Sequence, residues 1–295
     1  MFIYSNYIAN SVIIGYNKTK GVAKVKEFYK YDDKQMNFHY SLDEHPDLLD
    51  ERFKMHTHQF NELYYCISGK GTFSIEGTRY KVRGGDLLIM KSAESHAIEI
   101  SAGEPYERLA LQFDPQLLED AGLSDLLIPF NSRELGKGNL FRASDFKNSL
   151  YRTLLEGLTD KKPNPKTQII SMLIPLLNEI KTAYDERGRV DTGADEDLCW
   201  RITDYINCHL SSELSLESLC KRFYISKSQL CRLFKASLGS GVWEYITVKR
   251  LITAKSLIKS GVHSTKAAVA CGFNDYSAFY RAYTKYFGTS PKKDI

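Results

Sequence analysis

Two segments in the last eighty residues of this 295-residue chain carry the same pattern, the second lying 49 positions after the first. Each segment, 216–239 and 264–288, has a short run with small and apolar inward positions, a tight turn and a second run rich in polar groups. The aligned pairs are Leu230 with Phe279, Arg232 with Arg281, and Gly239 with Gly288. Apolar residues recurring at helical spacing on both sides of a turn predict two helix-turn-helix units in tandem.

The residues around each turn fit this prediction. Gly272 stands where the chain must reverse, a place that favours a positive φ, which glycine adopts without steric cost. Tyr224 occupies the equivalent place in the first unit, where a positive φ is less favourable for a residue with a side chain. Ser226 and Asn274 are the predicted N-caps of the second helices. The residues predicted to face the core are Leu230, Leu233, Phe234, Phe279, Ala282 and Tyr283.

A helix presented in this way fits the major groove of double-stranded DNA, with its N-terminal residues against base edges. Glutamine can pair with adenine and arginine with guanine through bidentate hydrogen bonds, while other side chains would touch only phosphate. The predicted DNA-binding residues are Lys227, Ser228, Gln229 and Arg232 in the first unit and Asn274, Asp275, Tyr276, Ser277, Tyr280 and Arg281 in the second. For Ser277 and Asn274, a capping role is the alternative.

The charge distribution agrees with contact between DNA and the C-terminal part. The net charge of +4 divides unevenly: from Glu196 onward there are 15 Lys and Arg against 8 Asp and Glu, and elsewhere 25 against 28. A basic C-terminal part predicts that only this part meets phosphate, although surface lysines and arginines could merely keep the protein dissolved. The chain has no long apolar run and no signal peptide, so we expect a soluble, cytoplasmic protein without membrane contact.

Residues of the second unit and of the stretch between the two units also stand in a familiar order. They are Gly272, Phe273, Ser277, Phe279, Arg281, Tyr283, Lys285, Gly288 and Pro291 in the second unit, and Tyr245, Arg250, Ala254 and Leu257 before it. This order closely resembles the signature of AraC-type transcriptional regulators, over roughly residues 197 to 293. The chain departs from it at Tyr224, at Tyr283 where Phe is commoner, and after Pro291, where the aromatic-Arg ending is missing. The resemblance implies a regulator that is more often an activator than a repressor, with RNA polymerase as a partner.

The composition between 143 and 196 predicts the domain organisation. We expect a β-domain at 1–142, a helical segment at 143–185, a flexible polar linker at 186–196 and the DNA-binding domain at 197–295. Helices are predicted at about 143–158 and 166–184, with Pro175 kinking the second. The apolar face of that helix comprises Ile169, Leu173, Leu176, Leu177 and Ile180. This face could pack on its own sheet or on a second subunit, and the resemblance to AraC-type proteins favours a homodimer.

The first 140 residues read as β-structure, giving an α+β fold class for the two-domain chain. Alternating runs at 63–68, 71–76, 78–82 and 87–90 are separated by glycine-containing turns, as in a sandwich or barrel. His56, His58, Glu62 and Gly69, then Gly85, Asp86 and His96, have the spacing of the two cupin motifs. This part therefore resembles a cupin-like jelly-roll barrel, although Lys91 and Ala93 stand where the second motif has Pro and Gly. A cupin-like barrel ahead of tandem helix-turn-helix units is the usual layout of AraC-type sensors of small molecules.

The four residues His56, His58, Glu62 and His96 admit two interpretations. On a strand, even steps place the first three on one face, so the set could hold a divalent Zn, Ni, Mn or Fe ion. Alternatively these groups hydrogen-bond one another or an organic effector, and no cofactor is required for function. A metal-dependent cupin enzyme with a DNA-binding appendage is the rival hypothesis. We expect no catalysis, because a catalyst needs no DNA-reading domain.

The barrel interior is the predicted effector pocket, since such pockets combine apolar walls with a few directed polar groups. The predicted effector-binding residues are Phe38, Tyr40, His56, His58, Glu62, Tyr64 and His96. Aromatic faces beside imidazole and carboxylate groups suit a sugar or another polyhydroxy compound. A barrel that serves only as a dimerisation platform, without an effector, is a further alternative.

Overall fold

The computed structural model describes residues 25–44, 55–101, 103–160, 163–187 and 198–294. The described N-terminal residues form a β-rich domain followed by helices. Its strands are β1 (Val25–Asp32), β2 (Met36–Asp43), β3 (Asn61–Ser68), β4 (Lys70–Ile75), β5 (Thr78–Arg83), β6 (Leu87–Met90), β7 (His96–Ile100), β8 (Tyr106–Phe113) and β9 (Leu140–Phe141). Its helices are α1 (Gln116–Asp120), α2 (Ile128–Asn131), α3 (Leu150–Gly157) and α4 (Pro165–Arg187).

The strands form two antiparallel sheets with different surroundings. One sheet has the order β1-β2-β8-β3-β6-β9 and the other has the order β5-β4-β7. Alternate residues of β3 face opposite sides of the larger sheet, as the pleat of a strand requires. Tyr64 and Cys66 join the core between the sheets, while Leu63 and Tyr65 join a core with the helices. The two sheets and the helical C-terminal domain confirm the predicted fold class.

Helix α4 covers the outer face of the larger sheet. The five apolar residues predicted to share one face of this helix are all fully buried in the same core as the sheet residues. Of the two alternatives for that face, the structure shows packing on the chain's own sheet, so this face is not available to a second subunit. The helix continues through Pro175 to Arg187.

Two boundaries differ from the sequence-based prediction. The helix expected from 143 begins at Leu150, after a 3₁₀ turn at Ala143–Asp145. Phe146 keeps an extended conformation between them because its ring stacks on Tyr151, with centroids 3.9 Å apart. The predicted linker at 186–196 lies outside the described residues from 188 onward, and its first two residues belong to the end of α4.

The C-terminal domain is helical. Its helices are α5 (Leu198–Cys208), α6 (Leu216–Phe223), α7 (Lys227–Leu238), α8 (Val242–Lys259), α9 (Ser264–Ala270) and α10 (Tyr276–Phe287). Helices α7 and α10 both have 12 residues, and both their starts and their ends are 49 positions apart. Glycines in the left-handed conformation, Gly239 and Gly288, end them. The predicted internal repeat is therefore confirmed, with four of the six predicted inward residues fully buried and Leu233 and Ala282 partly buried.

Most of the predicted turn chemistry is confirmed as well. Gly272 has a φ of +82°, and Tyr224 takes the left-handed conformation with a φ of +54°. Ser226 caps α7 through its side chain, but the cap of α10 is Asp275, not Asn274. Asp275 is the N-cap residue because its two carboxylate oxygens accept from the backbone N–H groups of Ser277 and Ala278.

Helix α8 connects the two helix-turn-helix units, and Arg250 fixes their joint. Its guanidinium donates to the carbonyl oxygens of Leu210 and Ser212 before the first unit and of Gly272 in the second, at 2.8–2.9 Å. A side chain at Gly272 would stand 2.4 Å from the Leu210 oxygen, so only glycine fits beneath this arginine. None of the described helices is long and apolar enough to cross a membrane.

Candidate functional site

Four polar side chains converge at one end of the space between the two sheets. His56 and His58 precede β3, Glu62 lies at its start, and His96 opens β7. The backbones of His56 and His96 pair as an antiparallel bridge, which brings the two segments together. One ligand atom of each residue lies within 4.8 Å of the others. The four side chains converge as predicted, although His56 and His58 lie before β3 and a bend at 59–60 separates them from Glu62.

Hydrogen bonds to the backbone orient two of the imidazoles. Nδ1 of His58 lies 2.8 Å from the Phe60 carbonyl oxygen, and Nδ1 of His96 lies 2.9 Å from the Glu94 carbonyl oxygen. A carbonyl oxygen can only accept, so Nδ1 is the protonated nitrogen and Nε2 points into the cluster. Nε2 of His58 lies 2.5 Å from Oε2 of Glu62, and Nε2 of His96 lies 3.4 Å from it. The cluster thus directs two imidazole nitrogens at one carboxylate oxygen.

The protonation equilibria reflect this crowding. Burial opposes ionisation of Glu62, but its contacts with the imidazoles of His58 and His96 and their charges outweigh burial and hold the pKa of Glu62 well below its usual value. Burial acts to lower the pKa of His96, yet the contact with Glu62 and its charge raise it overall. Positive charge at the centre of the cluster is therefore favourable.

The structure separates two of the predicted effector-binding residues from this cluster. Phe38 is fully buried in the core between the larger sheet and the helices, and Tyr40 lies on that same outer face. In the register of β2 with β8 they pair with Leu111 and Leu109, whose side chains also face the helices. The prediction that both residues face the barrel interior is therefore wrong. Tyr64 does face the interior, but it packs in an apolar core, 4.6 Å from the Phe73 ring.

A cavity of about 430 Å³ lies on the outer face instead. Its walls combine two tyrosine rings, an arginine, a glutamate and a glycine turn. The lining residues are Tyr40, Tyr65, Ile67, Gly84, Gly85, Arg152, Leu155, Glu156 and Thr159. Of these, sequence reasoning singled out only Tyr40, because the cavity forms where β3 meets α3, a contact that no local pattern encodes.

The first turns of α7 and α10 are the candidate DNA interface. In the first unit all four predicted residues are exposed. Lys227 lies 3.7 Å from Glu217 on the surface. Oε1 of Gln229 accepts from the Ser226 N–H at 2.8 Å, so its carbonyl oxygen serves the helix cap. A bidentate contact between Gln229 and adenine would first have to break this capping bond.

In the second unit the predicted residues divide by role. Asn274, Ser277, Tyr280 and Arg281 are exposed. Tyr276 is partly buried and its hydroxyl lies 2.9 Å from that of Ser264, so its ring joins α10 to α9. The capping role of Asp275 turns its carboxylate toward the backbone and reduces the repulsion of phosphate at this helix start.

The contact between the two domains was not predicted from the sequence. Glu76, at the tip of the β4–β5 hairpin, has a side chain only 1% exposed, and it accepts from Nζ of Lys249 at 2.7 Å. The hydroxyl of Tyr245 and the amide of Asn207 also donate to its carboxylate. One signal was available: glutamate is an unusual first residue for a Glu-Gly turn in which both residues have positive φ.

Comparisons with known proteins agree with this organisation. A family model described as an AraC-like ligand binding domain matches residues 44–133, and one described as a helix-turn-helix domain matches residues 219–294. The HTH-type transcriptional activator RhaS of Citrobacter koseri is 23% identical over 254 residues, covering 84% of this chain and 89% of its own. RhaR of Yersinia pseudotuberculosis, also named a transcriptional activator, is 22% identical over 250 residues, covering 82% and 84%.

Among solved structures, ToxT of Vibrio cholerae covers 90% of this chain and 96% of its own at 12% identity. The TM-score of that comparison is 0.39. The two family models match separate parts of the chain, and RhaS and RhaR cover 84% and 82% of it. The chain belongs to the AraC-type transcriptional regulators, with a ligand-binding domain ahead of a helix-turn-helix DNA-binding domain.

Proposed function

We propose that this protein is a sequence-specific DNA-binding activator controlled by a small molecule that binds its β-rich domain. The observation that carries the DNA-binding part is the equivalence of α7 and α10, two helices of equal length whose first turns are exposed. Two such helix starts in one domain suit successive stretches of the major groove. The names of the relatives as transcriptional activators support activation as the outcome of binding.

Arg232 offers the sharpest test of this proposal, because it is exposed on the first turns of α7 and can pair with guanine in a bidentate way. We expect Arg232→Ala to weaken binding to the preferred operator by about 1–3 kcal/mol, and binding to unrelated DNA by much less. Arg232→Lys is the matched control, since it keeps the charge but loses the planar donor pair. Selected operators and scrambled duplexes would be compared by fluorescence anisotropy at several salt concentrations.

The outcomes separate the roles of this arginine. If Arg232→Lys restores binding to both duplexes, Arg232 contacts phosphate and reads no base. If neither variant changes binding to the operator, α7 does not enter the groove and the proposed interface is wrong.

For the effector we propose a sugar or related polyhydroxy compound in the 430 Å³ cavity. The volume lies within the usual range for small-molecule sites, about 300–1,000 Å³. Tyr40 and Tyr65 offer ring faces for the C–H groups of a sugar, and Arg152 and Glu156 offer charged hydrogen-bonding groups for its hydroxyls. An effector controls the protein only if it binds one arrangement of the domains better than the other.

A thermal-shift screen of the full chain against neutral sugars and sugar acids, with chelator present throughout, tests the effector proposal. A ligand at 100 times its dissociation constant should add about 2.7 kcal/mol to the stability. Glu156→Ala should abolish the shift, whereas Arg79→Ala, an exposed arginine on the other sheet, should leave it intact. A sugar whose shift survives Glu156→Ala binds elsewhere, and the cavity is then not its site.

Three further parts of the proposal concern partners and chemistry. We propose a homodimer, which sedimentation velocity would detect, formed through a surface other than the buried face of α4. Activation implies contact with RNA polymerase, which transcription in vitro would reveal. We propose no catalysis, because the relatives are named as transcription regulators. Turnover by the metal-loaded full chain would instead support the cupin-enzyme alternative.

A further inference from the structure

The inward atoms of the four-residue cluster converge on one small space that suits a cation. With Nδ1 of His58 and of His96 turned to carbonyl oxygens, both Nε2 atoms point at Oε2 of Glu62. Nε2 of His96 is buried and has no hydrogen-bond partner of acceptable geometry. A carboxylate and imidazole nitrogens turned toward one another in a buried space need protons or a metal ion between them.

The surroundings of the cluster have the features of a metal site. Imidazoles held at Nδ1 by backbone carbonyls are the usual outer-shell arrangement around metal-binding histidines. Nε2 of Gln112 donates to Oε2 of Glu62 at 3.1 Å and steadies the carboxylate in the same way. Three imidazoles and one carboxylate suit Zn, Ni, Fe or Mn. Bonds of about 2.0–2.2 Å put two ligand atoms at most about 4.4 Å apart, so the cluster would contract slightly from its present 4.8 Å.

The segments that carry these ligands also hold the DNA-binding domain. In the segment 55–58, His56 and His58 face the cluster, while Met55 packs on the core of α5, α6 and α7. The carbonyl oxygen of Thr57, between the two histidines, accepts from the hydroxyl of Tyr286 in α10 at 3.2 Å. The segment 55–58 thus contacts the cluster on one side and both helix-turn-helix units on the other.

The segment around His96 has the same double role. The carbonyl oxygen of Ala93 accepts from Nζ of Lys249 at 2.8 Å, while the N–H of Ala93 donates to the carbonyl oxygen of His58. The carbonyl oxygen of Ser95, next to His96, accepts from the Glu76 N–H at 2.9 Å, and the Ser95 N–H donates to the Glu76 carboxylate at 2.6 Å. Any contraction of the cluster therefore moves the same backbone that receives Lys249.

We propose that His56, His58, Glu62 and His96 bind one divalent transition-metal ion and that its binding clamps the DNA-binding domain on the β-rich domain. The clamp acts through residues 55–58 and 93–96, each of which links a ligand to α8 or α10. Binding and docking are then thermodynamically reciprocal: the metal favours docking, and docking raises metal affinity by the same factor. This inference goes beyond the proposed function, and it does not depend on whether the protein binds DNA.

Tryptophan fluorescence of the full chain can follow docking directly. The chain has two tryptophans, and Trp243 is 46% exposed, so Trp243→Phe leaves Trp200 as the reporter at little structural cost. Trp200 lies in the interface, where its indole N–H donates to the Leu135 carbonyl oxygen at 2.9 Å and Lys137 covers its ring. Chelator-stripped protein would be titrated with Zn²⁺ and then Ni²⁺, with calorimetry for stoichiometry and hydrogen exchange of α5 as a second readout.

We expect one ion per chain, a blue shift of Trp200 emission on binding and slower exchange in α5. His96→Ala should weaken binding by more than the ~10–100-fold that loss of an outer-shell partner causes, and Gln112→Ala should fall within that range. His263→Gln, a change of an exposed histidine in the helical domain, is the control and should bind as the parent does. Glu76→Gln, which touches no ligand, should lower metal affinity by the coupling factor, typically 5–150-fold.

Three results would overturn the proposal. Absence of binding by the parent chain, or unchanged binding by His96→Ala, would remove the metal site. Binding that leaves Trp200 emission and α5 exchange unchanged, together with full affinity in Glu76→Gln, would remove the clamp. Since no DNA or sugar is present, none of these results would bear on whether the protein reads DNA.

Discussion

Replacement of Glu76 by glutamine should release the two domains from each other. The Glu76 carboxylate and Nζ of Lys249 form an ion pair whose side chains are 1% and 6% exposed. Glutamine keeps the shape but removes the charge, so Lys249 stays buried without its counter-ion, and one acceptor oxygen becomes a donor that faces Tyr245, Asn207 or Lys249. Loss of one partner from a buried pair costs about 3–5 kcal/mol.

This cost falls on docking, because Lys249 and Glu76 belong to different domains. Since 1.4 kcal/mol is a factor of ten, the docking equilibrium should shift by a factor of at least about 100. Each domain has its own apolar core, so we expect undocking without global unfolding. In the Trp243→Phe background, Glu76→Gln should shift Trp200 emission to the red and split one thermal transition into two.

Glu99→Gln is the matched control, because Glu99 pairs with Arg79 on the surface and is 66% exposed. It should change stability by no more than about 0.5 kcal/mol. The double variant Glu76→Gln with Lys249→Met removes both buried charges and should be less destabilised than the two single changes together. If Glu76→Gln behaves like Glu99→Gln, or if the two single effects simply add, the ion pair does not hold the domains together.

Three further predictions concern the backbone and the joint between the units. Gly77→Ala should weaken docking by at least about 1 kcal/mol, since its Cβ would stand 2.8 Å from the backbone nitrogen of Trp200. Gly103→Ala is the control: Gly103 has a similar φ but open space around it, so the difference between the two variants measures the effect of the steric clash. Tyr224→Gly should stabilise the chain by about 0.5–1 kcal/mol, measured by urea unfolding, because Tyr224 is 94% exposed and strained; a loss of stability would show that the ring packs. Arg250→Ala should lower stability by about 2–4 kcal/mol and reduce operator affinity more than Arg232→Ala does.

The helical repeat was predictable because it follows from the spacing of apolar and turn residues within short segments of the chain. Helical spacing identified Leu230, Phe234, Phe279 and Tyr283 as core residues, and all four are fully buried. The convergence of the three histidines with Glu62 was also predicted, from the spacing of the two cupin motifs, and the His56–His96 bridge brings these two motifs together. Both conclusions need only the spacing of residues within a segment and one pairing.

The face of β2 that Phe38 and Tyr40 occupy and the contact between the two domains were not predicted, because both depend on residues far apart in the sequence. Phe38 and Tyr40 were predicted to line the barrel interior as aromatic residues near the cupin motif, but the face that they occupy depends on the register of β2 with β8. A shift of one residue in that register would have reversed the assignment. The bonds from Glu76 to Tyr245 and Lys249 span 169 and 173 residues, so composition and periodicity could not reveal them.

Strand β3 brings the two proposed ligand sites within one element. Glu62, at its start, faces the cluster between the sheets, and Tyr65, three residues later, faces the outer cavity. Because β3 is paired on both sides, with β6 and with β8, it can move only with its neighbours. An effector that displaced β3 from outside would therefore displace a ligand of the inner cluster. The segments next to that cluster contact both helix-turn-helix units, so a change at the cavity has a continuous path of hydrogen bonds and packed side chains to the DNA-binding domain.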